Sequence, residues 1–442
     1  MISLLPAQAL SPLSLFLSAM VFAVSFWPGP RSTTFRHFLR MTFRRRSQRR
    51  GVAPSFTPQL SGPSFNQVSD PKSEHFIRDQ TVLITGAAGS IGSELVRQVL
   101  QQKPSQVILI DQAESALYTL EATLRQEYDS AVNVVVQIAN ITDAGRIHRI
   151  FATYRPALVF HAAAYKHVPL MEQHPYEAIN VNVLGTQLVA DMAVRFAVQK
   201  FVLISTDKAV NPTSVMGATK RLAEMYVQGL NQQSATRFVV TRFGNVLDSS
   251  GSVLPLFRQQ IARGGPVTVT HPHVTRYFMT IPEACHLVLE AVILGSGGEV
   301  FVFDMGEPVR IADLARQLIQ AAGYEVNTTI KLTFTGLRPG EKLHEELLHT
   351  TETALLTRHP RIQAARLETP DAYQTQRALR ELARILPYAD DSTLVQFLQK
   401  VVPEYTSRNP LYGQRDFMLS TRSVLNCIAP VVKESESMPI HP

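Results

Sequence analysis

Residues 205–220 read STDKAVNPTSVMGATK. Thr206, Asp207 and Lys208 set a hydroxyl, a carboxyl and an amine side by side, and Lys220 adds a second amine. These side-chain types move protons to and from a bound molecule. Met216 stands four residues before Lys220, on the same face if the segment is helical. Its thioether can neither take nor give a proton. A free lysine has a pKa of about 10.4, so a lysine base needs desolvation or nearby positive charge to lower it. A carboxyl that donates a proton needs burial to raise it. Neighbours on a regular strand point oppositely, so Asp207 and Lys208 serve one ligand only if the chain leaves strand geometry after Thr206.

The elements needed to position these groups are legible upstream. KFVLIST (200–206) reads as a strand with Thr206, Asp207 and Lys208 at its C-terminal end, where open α/β sheets bind ligands. TVLITGAAGSIGSELVRQVL (81–100) reads as strand, glycine turn and helix. Gly86, Gly89 and Gly92 allow a tight turn and close approach of a pyrophosphate to the helix N-terminus, beside Ser90 and Ile91. QVILID ends at Asp111, whose carboxylate suits adenosine ribose hydroxyls and repels a 2′-phosphate, favouring NAD over NADP. NVVVQI (133–138) is a third strand, followed by Asn140, Ile141 and Asp143 as candidate adenine contacts. ALVFHAAAYKHVP (157–169) is a fourth, and Ala162, Ala163 and Ala164 leave room for a cofactor against the backbone. Asn182 is expected to steady the sheet end next to it. His161 and His167 read as packed or partly exposed histidines, and no metal is expected. The alternation predicts a doubly wound parallel sheet of the Rossmann type with a smaller C-terminal α/β substrate-binding region.

Six ordered motifs make the reading more specific: TGAAGSIGSEL, HAAAYKHVPLMEQHPYEAINVNVLGT, STDKAVNPTSVMGATKRLAE, TRFGNVL, TRYFMTIPEA and GLRPGEKLHEELL. Together they resemble the extended short-chain dehydrogenases of bacterial polysaccharide biosynthesis, of the CapD/WbpM type, which are nucleotide-sugar 4,6-dehydratases acting on UDP-N-acetylglucosamine. The resemblance runs from about residue 78 to VVPEY at 401–405. Short-chain dehydrogenases usually carry Tyr-x-x-x-Lys, and Met216 occupies the tyrosine position. The branch of this family that retains configuration at C5 is similar in having methionine there.

The resemblance implies tightly held NAD as a recycled hydride carrier. Hydride leaves C4, water is lost across C5 and C6, and hydride returns to C6 to give a 4-keto-6-deoxy sugar. It implies Lys208 as the C5 base, Asp207 as the acid for the 6-hydroxyl and Thr206 as a relay for the C4 hydroxyl proton. Lys220 would hold the nicotinamide ribose, and Met216 would pack against sugar or nicotinamide. Lys166, Asn245, Arg258, Arg276 and Arg338 are candidate contacts to the sugar or diphosphate, and Glu341 to the uridine ribose; an arginine can grip phosphate bidentately. Related sequences often read VLGSRGS where this chain reads VLDSSGS (246–252). Two readings stay open beside this one: a C5-inverting dehydratase or 5-epimerase, and a silent binder of NAD or sugar nucleotide. A C4-epimerase needs the tyrosine that Met216 replaces.

Composition limits the remaining choices. Hydrophobic residues at 45% and charged residues at 18% describe a globular chain, not a disordered one. The net charge of +7 lies in an arm: residues 1–69 hold eight arginines and no lysine or acid, leaving −1 for the rest. A nucleic-acid reader would carry the charge on its folded body, so none is expected as partner. The uncharged residues 1–30 contain LSLFLSAMVFAVSFW and predict a single membrane anchor, with the arginines that follow holding the catalytic part on the cytoplasmic side of a bacterial inner membrane. The expected division is anchor 1–30, basic arm and linker 31–75, NAD-binding domain 76–244, sugar-nucleotide region 245–405 and tail 406–442. A UDP-sugar and a homo-oligomer are the expected partners.

Overall fold

The computed structural model describes residues 76–128, 133–349, 352–366 and 370–412. The anticipated anchor, basic arm and linker lie outside them, as does the tail beyond Tyr412. Among the described residues no helix is long and apolar enough to cross a membrane.

In chain order the strands are β1 (Thr81–Thr85), β2 (Gln106–Asp111), β3 (Val134–Ile138), β4 (Leu158–His161), β5 (Lys200–Ile204), β6 (Arg237–Arg242), β7 (Asn245–Val246), β8 (Val267–Val269), β9 (Thr275–Arg276), β10 (Phe278–Met279), β11 (Val300–Phe303), β12 (Val309–Arg310), β13 (Leu332–Phe334), β14 (Thr353–Leu356) and β15 (Ile362–Arg366). One nine-stranded sheet has the order β14-β15-β11-β6-β5-β4-β1-β2-β3. From β3 to β11 every pairing is parallel, and β15 and β14 close that edge antiparallel. The order 3-2-1-4-5-6 is the doubly wound arrangement, whose ligand crevice opens where the order reverses, between β1 and β4.

Continuous apolar runs build the sheet because helices cover both faces. β4 and β5 are buried at every position, and β1 and β2 nearly so. One core joins Leu83, Ile108 and Phe201 to the helices Thr186–Arg195 and Val215–Gln233. The other joins Val82, Ile84 and Phe160 to the helices Ser90–Gln101 and Ile281–Leu294. A third, smaller core gathers Leu254, Phe257, Val267, Leu314 and Ile330. It holds β8 against β13 beside the helices Val253–Ala262 and Ile311–Ala321. The chain on both sides of position 244 belongs to one compact unit, because β11, β14 and β15 return to the main sheet.

Candidate active site

The glycine turn sits at the reversal of strand order. Gly86 has φ +65°, and a Cβ there would stand 2.7 Å from the Ala163 nitrogen. At Gly92 a Cβ would stand 2.0 Å from the Gly86 carbonyl oxygen. Only hydrogen fits at either position, so the turn packs directly on the end of β4. The helix Ser90–Gln101 begins with no side chain capping its first amides, which leaves them to an anion. Asp111 ends β2 beside the turn, accepting from the amides of Ala88 and Ala113 at 3.0 Å each. A carboxylate offers about four acceptor positions, so sites remain for ribose hydroxyls. These features fit a dinucleotide.

A cavity of about 740 Å³ runs from this turn past the end of β5 to the third core. Gly86, Gly89, Ser90, Ile91, Gly92, Ala162, Ala164, Lys166, Thr206, Lys208, Met216, Lys220, Asn245, Arg276, Arg338 and Glu341 all line it. Residues more than 250 positions apart thus share one space.

After Thr206 the chain leaves the strand in a 3-10 turn, Asp207–Ala209. That change of geometry brings both neighbouring side chains together: Lys208 Nζ donates to Asp207 Oδ1 at 2.9 Å and to Asn245 Oδ1 at 3.0 Å. Thr206 Oγ1 donates to the same Asp207 oxygen at 2.8 Å. The turn rests on the helix carrying Met216 and Lys220. At Gly217 a Cβ would lie 2.3 Å from the Lys208 carbonyl oxygen, so this contact needs glycine.

The charge on Lys208 differs from the expectation. Burial lowers its pKa, but Asp207 and Glu345 outweigh that and hold the amine above the ordinary lysine value. Glu345 was not singled out in the sequence; its Oε1 lies 3.6 Å from Lys208 Nζ. Its clue was the acidic end of RPGEKLHEELL, which does not reveal where the chain returns. Lys220 is lowered, to about 8, by burial that Glu224 only partly offsets, and burial also lowers Lys166 in the same wall. Its Nζ donates to the Ile204 carbonyl at 2.7 Å. His161 is spent on structure, its ring nitrogens 2.7 and 2.9 Å from the hydroxyls of Thr85 and Thr186. Burial, then Lys220, lowers it to about 3, so it stays neutral.

Several predicted contacts stand elsewhere. Ala163 is out of the cavity lining because it supports Gly86 from behind. Asn140 turns its side-chain oxygen to the Thr142 amide at 3.0 Å, and Ile141 is buried in the core. Asn182 is fully buried and braces the Tyr165 backbone (2.8 and 3.0 Å) and the Thr219 hydroxyl (3.1 Å), so it shapes the wall without facing the cavity. Arg258 is outside the lining because Asp248, from the divergent VLDSSGS loop, pairs with it. The same loop reaches the glycine turn, where the Ser250 amide donates to Ser90 Oγ at 3.1 Å. Arg276 lies in the cavity wall with its guanidinium held by Glu341 (3.0 Å) and the Lys342 carbonyl (2.9 Å). Burial pushes the Glu341 carboxyl up, and Arg338 and Arg276 bring it below its ordinary value.

A strap from the tail packs behind the wall. Thr406 and Arg408 donate backbone bonds to Pro212 and Thr213 (3.0 and 3.1 Å). Buried Asn409 donates to Glu172 Oε2 at 2.9 Å, and Glu172 Oε1 accepts from the Val215 amide at the start of the Met216 helix.

The family model described as polysaccharide biosynthesis protein matches residues 82–367. The chain belongs to the polysaccharide biosynthesis protein family. It is 54% identical to the capsular polysaccharide biosynthesis protein CapD of Staphylococcus aureus over 62% of this chain and 46% of that one. It is 47% identical to EpsC of Bacillus subtilis over 77% of this chain and 59% of that one. The chain thus spans about half the length of these two relatives. Among solved structures, Pen from Bacillus thuringiensis aligns with a TM-score of 0.61 at 32% identity, covering 70% of this chain and 98% of Pen.

Proposed function

We propose that the chain is an NAD-dependent 4,6-dehydratase that converts UDP-N-acetylglucosamine to a UDP-4-keto-6-deoxy sugar for surface polysaccharide synthesis. The observation that carries this reading is the Thr206–Asp207–Lys208 cluster. Thr206 and Lys208 line the same cavity as the dinucleotide cradle, Asp207 bonds to both from just behind the wall, and a thioether stands at Met216 where a 4-epimerase needs a proton-transferring hydroxyl. Bound NAD would supply a hydride acceptor at C4 and a donor at C6.

The chain's own groups account for the protons. With Lys208 as neutral amine and Asp207 ionised, Thr206 passes the C4 hydroxyl proton along its 2.8 Å bond to Asp207 Oδ1. The 4-ketone acidifies C5, and Lys208 Nζ takes the C5 proton. Asp207 returns its proton to the 6-hydroxyl, which leaves as water. Lys208 then protonates C5, and both groups regain their starting states. Because carboxylates hold Lys208 above the ordinary lysine value, the neutral amine grows with pH, and so does the rate. The rim arginine Arg338, half-exposed beside Glu341, suits the diphosphate.

The test is the full chain incubated with UDP-N-acetylglucosamine in D2O and followed by NMR. A 4-keto-6-deoxy product with deuterium at C5 and retained configuration is expected. Inverted C5 would place the chain with C5-inverting enzymes. Binding of NAD and sugar nucleotide without turnover would overturn the enzymatic reading in favour of a silent binder.

A further inference from the structure

Lys208 faces a set of charged and polar groups drawn from four separate parts of the chain. Asp207 comes from its own turn, Asn245 from β7, Arg276 from β9, and Glu345 from the segment after β13. Beyond them lie Glu341 with Arg338, and Lys220 on the Met216 helix. Glu345 stands between the two cations: its Oε1 is 3.6 Å from Lys208 Nζ and 3.5 Å from Arg276 Nε. Its side chain is only 3% exposed, yet it lines the cavity. Its second oxygen, Oε2, is buried with no hydrogen-bond partner, as is Asp207 Oδ2. A buried carboxylate oxygen left unbonded is a costly arrangement that structural roles avoid.

We propose that Glu345 is a positioning residue for Lys208: with Asp207, its carboxylate fixes the charge and the direction of the Lys208 amine in the reaction cavity. The inference deepens the dehydratase reading and rests on it for the claim that Lys208 takes the C5 proton. Its electrostatic part stands on geometry alone. The shared link to Arg276 ties the amine to the wall expected to hold the diphosphate. Glu345 transfers no proton itself. It determines the pH at which Lys208 becomes a free amine, and so the pH at which the chemistry turns on. Nearby opposite charges shift a titrating group by about 1–3 pH units.

The experiment reads Lys208 directly in the full chain, without substrate. Brief acetylation with acetic anhydride across a pH series, read by mass spectrometry at Lys208, gives the pH of half-maximal labelling. Glu345→Gln keeps the volume and removes the charge, so the midpoint is expected to fall by about 1 unit or more. Glu345→Asp, which retains the charge, is expected to return it toward the parent value. A midpoint unmoved in Glu345→Gln overturns the proposal, provided the variant's thermal transition matches the parent's; should Glu345→Gln not fold, Glu345→Ala, which also removes the charge, decides by the same reading. With UDP-N-acetylglucosamine turnover in hand, the rising limb of the rate against pH must move with the labelling midpoint, and a fixed limb overturns the link to catalysis. Absence of turnover in parent and variants alike counts against the dehydratase reading, while the labelling midpoint still decides the role of Glu345.

Discussion

Asn409→Ala probes the strap formed by residues 406–412. Asn409 is 3% exposed and bonds the Glu172 carboxylate at 2.9 Å. Glu172 is itself buried; burial raises its pKa, and the bonds from Val215 and Asn409 partly offset that. A hydrogen bond to a charged group contributes about 1.5–3 kcal/mol. Removing the amide therefore strips that much from the closed state of residues 406–412. At 1.36 kcal/mol per factor of ten, local opening becomes about 10- to 150-fold more frequent. The Thr406 and Arg408 amides, bonded to Pro212 and Thr213, report that opening by hydrogen exchange. Their exchange should accelerate by this factor, and the start of the Met216 helix should follow because Val215 shares Glu172. Exchange within about threefold of the parent at all these amides would refute the reasoning, since such a bond would then contribute under about 0.7 kcal/mol.

Three further outcomes follow from the same geometry. Gly217→Ala forces a Cβ against the Lys208 carbonyl, so the Lys208 turn must shift; turnover should fall at least tenfold while substrate binding by calorimetry changes less. Met216→Tyr places a larger side chain at a 3%-exposed position, where overpacking costs about 1–3 kcal/mol. Its thermal midpoint should drop without any gain in turnover, and a large gain would undo the scheme built on methionine. His161 has a folded pKa of about 3 against an unfolded value near 6.5, so the unfolded state binds the extra proton between them. The stability that His161 contributes as a neutral group is present above pH 6.5 and lost as pH falls toward 3. Urea unfolding should show the parent losing about 2 kcal/mol more than His161→Gln between pH 7 and pH 5.

Local pattern carried much of this protein. The spacing of Gly86, Gly89 and Gly92 after an apolar run dictates a turn that only hydrogen can fill, because the clash is with backbone a few residues away. The successive apolar strands and intervening helical periods dictate a parallel sheet, and the sheet puts Thr206, Asp207 and Lys208 at its ligand-binding end. Those are short-range consequences of side-chain type and period. Tertiary structure decided the rest. Glu345 meets Lys208 across 137 positions, and Asn409 meets Glu172 across 237, distances over which no periodicity speaks. The same folding drew Arg258 out of the cavity onto Asp248, and fixed Asn182 to the Tyr165 backbone. It also reversed the direction in which the Lys208 amine was expected to shift. Sequence supplied a lysine to be desolvated; the fold surrounded it with two carboxylates, and at about 3–4 Å their attraction exceeds the penalty of burial.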